Sequence, residues 1–266
     1  MSISTEAAPL TAADLERFGP APEQRFRDNL AAVEARIAAA CRRAGRAREA
    51  VRLLPITKTV PAAVLRHAFA AGMSSCGENK IQEATGKREA LADLPIAWSI
   101  VGHLQTNKVK YLTRLAQEFH ALDSLRLAGM LEARLAREGR TLDVFVQVNT
   151  SGEASKYGLP PEQVPGFLEA LPRFPHLRPR GFMTLALFSD DVALVRPCFV
   201  RLRKLRDRAV QDHPDLKELS MGMTGDFEAA IEEGATILRV GQAIFGRRPT
   251  PDGHYWPGLA GQQGAG

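Results

Sequence analysis

Arg52-Leu-Leu-Pro-Ile-Thr-Lys58-Thr-Val-Pro61 is a short apolar run of strand length that closes on a lysine. The pattern Ala62-Ala-Val-Leu65 then opens as a helix, with Pro61 read as its first residue, where the missing N–H has no partner to lose. Lys58 is therefore expected at the carboxyl end of a buried strand, just before the chain turns into a helix. In parallel α/β architectures that is where ligands bind. A lysine of no special position is ordinarily a solvated loop residue. The rest of the chain decides between the two readings.

Outward from this stretch the same rhythm repeats. Strands are predicted over Val51–Thr57, Ser74–Gly77, Ala97–Gly102, His120–Asp123, Asp143–Asn149, Arg180–Leu185, Glu218–Gly222 and Thr236–Gly241. Helical spacing separates them over Ala62–Ala71, Ile81–Leu91, Asn107–Gln117, Leu125–Glu138, Pro161–Leu171, Asp191–Asp212 and Asp226–Glu233. An amphipathic helix over Gln24–Arg43, with Phe26, Leu30, Val33, Ile37 and Ala40 on one face, precedes the first strand. About eight strands alternating with helices specify a single (β/α)8 barrel of the α/β class, since doubly wound open sheets more often have five or six. Residues 1–22 read as a flexible leader, 23–248 as the barrel domain and 249–266 as a Pro/Gly-rich tail.

The totals agree with an ordinary enzyme-sized domain: 266 residues, of which 45% are hydrophobic and 24% charged. A net charge of +5 invites a nucleic-acid reading, but the basic residues are spread among nearly as many acids. The densest run, Arg201 to Arg208, reads as the solvated face of an amphipathic helix. No nucleic-acid partner is expected. Three distant cysteines, Cys41, Cys76 and Cys198, argue against a disulfide framework and for a reducing cytoplasm. The six histidines stand singly, without metal-ligand spacing, and no stretch is long and apolar enough for a membrane span or a signal peptide.

A barrel carries its site on the loops after its strands, and two of the predicted strand ends suit an anion. Met221-Gly-Met-Thr-Gly-Asp226 is a glycine-containing turn that leads into a helix, and Gly241-Gln-Ala243 follows the last strand. Loops after strands seven and eight often form the phosphate site of such barrels. Thr224 or Asp226 could equally serve only as a helix cap. A strand-end lysine beside a phosphate cradle suits pyridoxal 5′-phosphate (PLP), whose aldehyde forms a Schiff base with a lysine amine. It also suits a cofactor-free Schiff-base aldolase acting on a sugar phosphate. Composition and spacing leave both open.

Five stretches separate them: Leu54-Pro-Ile-Thr-Lys58-Thr, Cys76-Gly-Glu-Asn-Lys-Ile-Gln-Glu83, Trp98-Ser-Ile-Val-Gly-His-Leu-Gln-Thr-Asn-Lys-Val-Lys-Tyr111, Val146-Gln-Val-Asn-Thr-Ser-Gly-Glu-Ala-Ser-Lys-Tyr-Gly158 and Leu219-Ser-Met-Gly-Met-Thr-Gly-Asp226, the last continuing through Arg239-Val-Gly-Gln-Ala-Ile-Phe-Gly246. Together they resemble the YggS/PROSC family of PLP homeostasis proteins, whose barrel is similar to the N-terminal domain of alanine racemase. The resemblance runs in family order from about residue 25 to 248. It implies that Lys58 carries PLP as a Schiff base, that Ser220, Thr224, Gly241 and Gln242 lie at the phosphate, and that Arg239 faces the pyridine nitrogen. Asn79, His103 and Met183 would line the pocket around the ring. Thr57 and Thr224 stand where the family mostly has serine and keep the hydroxyl. Gln242 replaces a common threonine and loses it, while its backbone donor remains. Lys80 stands where the family often has an aromatic residue or arginine and is given no role.

The function implied is intracellular PLP homeostasis by a carrier without robust catalysis. The likeness further implies a monomer, with PLP-dependent apo-enzymes as the partners that would receive the cofactor. The alternative is a PLP-dependent, racemase-like enzyme. Against it stands Arg239, since arginine keeps its proton and a cation there leaves the ring a weak electron sink. In addition, the chain ends soon after its last strand, where alanine racemase has a further β-domain.

Overall fold

The structure, a computed structural model, describes residues 9–249. Residues 1–8 of the expected leader and 250–266 of the expected tail lie outside the described residues. The rest of the leader is not loose. Thr11 caps a helix, α1 (Ala12–Phe18), in a reciprocal box: its hydroxyl accepts from the Asp14 amide, and the Asp14 carboxylate accepts from the Thr11 amide. Phe18 is buried, and Phe26, near the start of α2 (Pro22–Arg43), meets its ring edge-on at 6.0 Å.

From there the predicted alternation holds. The strands are β1 (Arg52–Pro55), β2 (Ser75–Glu78), β3 (Ala97–Ile100), β4 (Glu118–Leu122), β5 (Leu142–Gln147), β6 (Leu177–Met183), β7 (Glu218–Ser220) and β8 (Ile237–Val240). The helices between and after them are α3 (Ala62–Ala70), α4 (Ile81–Ala90), α5 (Val109–Leu115), α6 (Leu125–Glu138), α7 (Val164–Ala170), α8 (Val192–Asp212), α9 (Phe227–Glu232) and α10 (Gln242–Phe245). All neighbouring strands are parallel, in the order β1-β8-β7-β6-β5-β4-β3-β2. A parallel bridge between Ile56 and Gly77, with the Thr57 amide donating to the Gly77 carbonyl at 2.9 Å, closes the ring. The fold is a (β/α)8 barrel.

Pro61 is not the first helical residue. It is extended (φ −61°, ψ 151°) and precedes the first turn as the N-cap of α3. Most strand residues are buried, and the exposed ones lie toward the strands' amino ends, as expected where helices cover the outside and side chains fill the inside.

The inside of this barrel is polar along one column. At its floor the Arg52 guanidinium crosses from β1 to both oxygens of Glu118 on β4, at 2.8 and 3.0 Å, and Ser99 on β3 donates to the same carboxylate at 2.8 Å. His120, on β4, lies between Glu118 (Nε2, 3.3 Å) and Ser220 on β7 (Nδ1, 2.9 Å). Arg239 on β8 in turn donates to the Ser220 hydroxyl at 2.8 Å. The chemistry fixes every proton in this chain. An arginine only donates and a carboxylate only accepts, so the Ser220 hydroxyl donates to His120 Nδ1, and His120 Nε2–H donates to Glu118. Burial lowers the His120 pKa and keeps the ring neutral, as the arrangement requires.

Candidate functional site

The column ends under the carboxyl ends of the strands, where a cavity of about 630 Å³ opens. That volume lies within the range of small-molecule sites. Lys58 lines it from the turn after β1, half-buried. Thr59, the next residue, is the one non-glycine among the described residues with positive φ, at +65°. The turn is held from below. Lys87 on α4, with its side chain only 7% exposed, donates to the Thr57 carbonyl (2.7 Å), to Glu78 (2.7 Å) and to Glu83 (2.6 Å). Thr57 donates to Glu78 at 2.5 Å, and the Thr59 amide donates to Glu83 at 2.6 Å. Burial pushes the Glu78 carboxyl up from its usual range, against the pull of Lys87 and Thr57. This buried knot of charge is what fixes the backbone on both sides of Lys58.

Thr224, Gly225 and Asp226 line the cavity from the turn after β7, and Gly241 and Gln242 line it from the loop after β8. Asp226 stands at the N-cap of α9, but neither its side chain nor that of Thr224 makes a capping hydrogen bond to the helix. Asp226 folds back to accept from the Met223 amide, which ties its own turn, and Thr224 accepts from the Ala243 amide at 3.4 Å, which ties the two loops together. A Cβ on Gly241 would stand 3.0 Å from the Ile56 carbonyl oxygen, so the β8 loop approaches the lysine turn closely.

Arg239 is 4% exposed and reaches the cavity floor. It donates to Ser220 and, at 2.7 Å, to the Thr184 carbonyl. Burial lowers its pKa to about 10, with Asp226 pulling the other way, so it stays charged at neutral pH. Asn79 lines the wall, and its Oδ1 is buried without a hydrogen-bond partner among the described residues. A Cβ on Gly102 would stand 2.3 Å from the Asn79 carbonyl oxygen, so only glycine lets the β3 end support that wall. His103, also lining, lies flat on Tyr157 (3.9 Å between ring centres, 8° between planes) and 3.6 Å from Asp123. Burial raises the Asp123 carboxyl, with His103 opposing.

Seven of the nine expected residues therefore share one cavity: Lys58, Asn79, His103, Thr224, Arg239, Gly241 and Gln242. Two do not line it. The Ser220 hydroxyl is taken by Arg239 and His120, and Met183 is wholly buried at the end of β6. Among the lining residues that carry no role from the sequence, two bear on the site's geometry. Arg17 comes from the supposed leader, and Tyr157 lies within one of the five family-like stretches but shows no chemistry of its own there.

The chain matches the alanine racemase, N-terminal domain family over residues 29–249. It is 44% identical over 221 residues to a pyridoxal phosphate homeostasis protein of Pseudomonas aeruginosa, covering 83% of this chain and 95% of that one. The protein of the same description in Aquifex aeolicus is 42% identical over 222 residues, covering 83% and 97%. The chain belongs to the pyridoxal phosphate homeostasis protein family. The PipY structure of Synechococcus elongatus, solved with PLP bound, superposes with a TM-score of 0.74 at 32% identity, covering 83% of this chain and all of PipY. Membership accounts for the five family-like stretches and their order. No described helix is long and apolar enough to cross a membrane, and the described residues hold no cluster of three or more metal-ligating side chains.

Proposed function

We propose that this chain binds PLP in the cavity, carries it covalently on Lys58 and serves PLP homeostasis without robust turnover of its own. The observation that carries this reading is the meeting, in one cavity, of a strand-end lysine, two linked loops after β7 and β8, a buried arginine and the orphaned Asn79 oxygen. These residues fit the group: an amine for an aldehyde, loop donors for a phosphate, and a buried polar atom in need of a ligand. When bound, PLP supplies an aldehyde for a lysine amine and an electron-withdrawing pyridine ring.

Lys58 would hold the aldehyde carbon, with its turn kept in place by the Lys87–Glu78–Glu83 knot. Thr224, Gly241 and Gln242 would hold the phosphate, and Asn79 and His103 would flank the ring. Ser220 would act one layer below, holding Arg239, and Met183 through core packing rather than contact. Arg239 would face the ring nitrogen, where a permanent cation opposes a further proton. That weakens electron withdrawal and suits holding PLP over carbanion chemistry. Delivery to PLP-dependent apo-enzymes, action as a monomer and a cytoplasmic location go with this reading. Three buried free thiols, Cys41, Cys76 and Cys198, suit a reducing compartment.

The test is an absorbance spectrum of the purified protein, borohydride reduction and peptide mapping. The expected result is a yellow protein whose colour is fixed to Lys58 by reduction. Loaded protein incubated with single-enantiomer amino acids should leave their handedness unchanged over many equivalents. Colourless protein after incubation with PLP would overturn the binding reading, and rapid racemisation would overturn the carrier reading.

A further inference from the structure

Helix α1 lies ahead of residue 29, where the family match begins, yet it touches both halves of the site. Arg17 donates to the Thr59 carbonyl at 2.6 Å and to the Thr59 hydroxyl at 3.2 Å, and it lines the cavity. Thr59 follows Lys58 and holds its positive φ between this guanidinium outside and Glu83 within. The second contact runs through rings. Phe18 meets Phe26, and Phe26 meets Phe245 of α10 edge-on at 5.3 Å. Phe18 and Phe245 are 1% and 2% exposed. Arg25 fastens the end of α1 by donating to the Arg17 carbonyl at 3.0 Å, and Asn29 donates to the Ile244 carbonyl of α10 at 2.8 Å. Thus α1 and the start of α2 bridge the β1–β8 seam, with one anchor on the lysine turn and one on the loop after β8.

We propose that α1 is a strap that holds these two loops in a single position and so sets the rate at which PLP leaves the site. Arg17 is its positioning residue. The release claim rests on the reading that Lys58 holds PLP; the mechanical claim does not. The physics is simple. A ligand gripped at two loops leaves only when both yield, and a charge-assisted bond from Arg17 across to Thr59 raises the cost of moving the first. Because α1 also seats Phe18 against the Phe26–Phe245 pair, loosening it frees the second loop together with the first.

The experiment uses the full chain as wild type, Arg17→Ala, Arg17→Lys and Phe18→Leu. Amide hydrogen exchange is read in protein freed of PLP, over residues 58–60 and 241–246. Release is read in loaded protein by capture of PLP with an excess of an apo-enzyme that requires it. Arg17→Ala should exchange faster at both segments and release PLP roughly tenfold faster, equivalent to about 1.4 kcal/mol. Arg17→Lys, which keeps the charge, should recover part of both effects. Phe18→Leu should show the same joint loosening with Arg17 in place, which covers the case in which Arg17→Ala fails to fold. Faster exchange confined to residues 58–60 overturns the strap. Joint loosening with unchanged release overturns its role in exchange. Borohydride that fails to link PLP to Lys58 in wild type overturns the Lys58 reading instead, while amide exchange still judges the strap.

Discussion

Replacing Glu118 by glutamine tests the polar column from its floor. Its carboxylate, 18% exposed, receives four hydrogen bonds: two from Arg52 and one each from Ser99 and His120. Burial alone would raise this carboxyl, but His120 and Arg52 outweigh it and hold the pKa at about 2, against an ordinary 4.5. Each pKa unit is worth about 1.4 kcal/mol, so ionised Glu118 contributes about 3 kcal/mol to folding. The folded pKa is the depressed one. The contribution is therefore complete above about pH 4.5 and lost as pH falls toward 2. Glutamine, neutral throughout, lacks it at every pH. Its amide has one oxygen for two sides, so the N–H₂ faces either Arg52 or His120, both of which donate. Should the imidazole reverse its tautomer to suit, the Ser220 hydroxyl loses its acceptor, since Arg239 and His120 then both donate to it. The expected outcome at pH 7 is a loss of about 3 kcal/mol in urea unfolding and a melting temperature roughly 6–12 °C lower. Between pH 5 and 2.5 the difference from wild type should shrink. Nitrogen NMR should find His120 protonated at Nε2 in wild type. A variant within about 1 kcal/mol of wild type at pH 7, or one that loses stability in parallel with it on acidification, would refute this reasoning.

Two other substitutions probe the walls. Lys87→Met leaves Glu78 buried without its cation and should cost about 3–5 kcal/mol in denaturant unfolding. Burial already raises the Glu78 pKa, so this cost should be larger at pH 8 than at pH 5, where the orphaned carboxyl can take up a proton. Adding Glu78→Gln should return most of the loss. Gly102→Ala drives a methyl into the Asn79 backbone and should cost about 1–3 kcal/mol. It should weaken PLP binding more than a surface control of equal stability, measured by fluorescence titration.

The alternation of strand and helix is legible in the sequence because apolar runs between helical patterns are what a covered parallel sheet demands. Where the boundaries differ, an interior chemistry disguises them. Glu118 reads as a loop residue ahead of the strand expected from His120 because it is polar, yet it opens β4 and faces the polar column inside the barrel. Pro179 argues against a strand before Arg180, and β6 nevertheless begins at Leu177. The register between β5 and β6 shifts just past the Val144–Pro179 pair, which lets the ladder tolerate it. In the site, Lys58 and the two loops after β7 and β8 are visible as strand ends. Ser220 lies one layer lower than expected, because sequence order does not say whether a strand-end hydroxyl points to a ligand or to the arginine beside it. Arg17 is hidden in a leader rich in alanine and proline. The Thr11–Asp14 spacing, a capping box with aspartate in place of glutamate, is the signal that could have found the helix carrying it.

The one-way order of donors beneath Arg239 has a historical consequence as well as a structural one. Each member fixes the proton on the next, so a change at 118, 120 or 220 that reverses a donor or an acceptor must be answered at its neighbour. A lineage that exchanged the imidazole for an ammonium, which only donates, would leave the Ser220 hydroxyl proton without an acceptor and would have to revise the serine in the same era. Kinship should therefore leave its trace here as correlated triplets across the barrel, and chimeras joining halves from distant cousins should fail at this column before they fail at the surface.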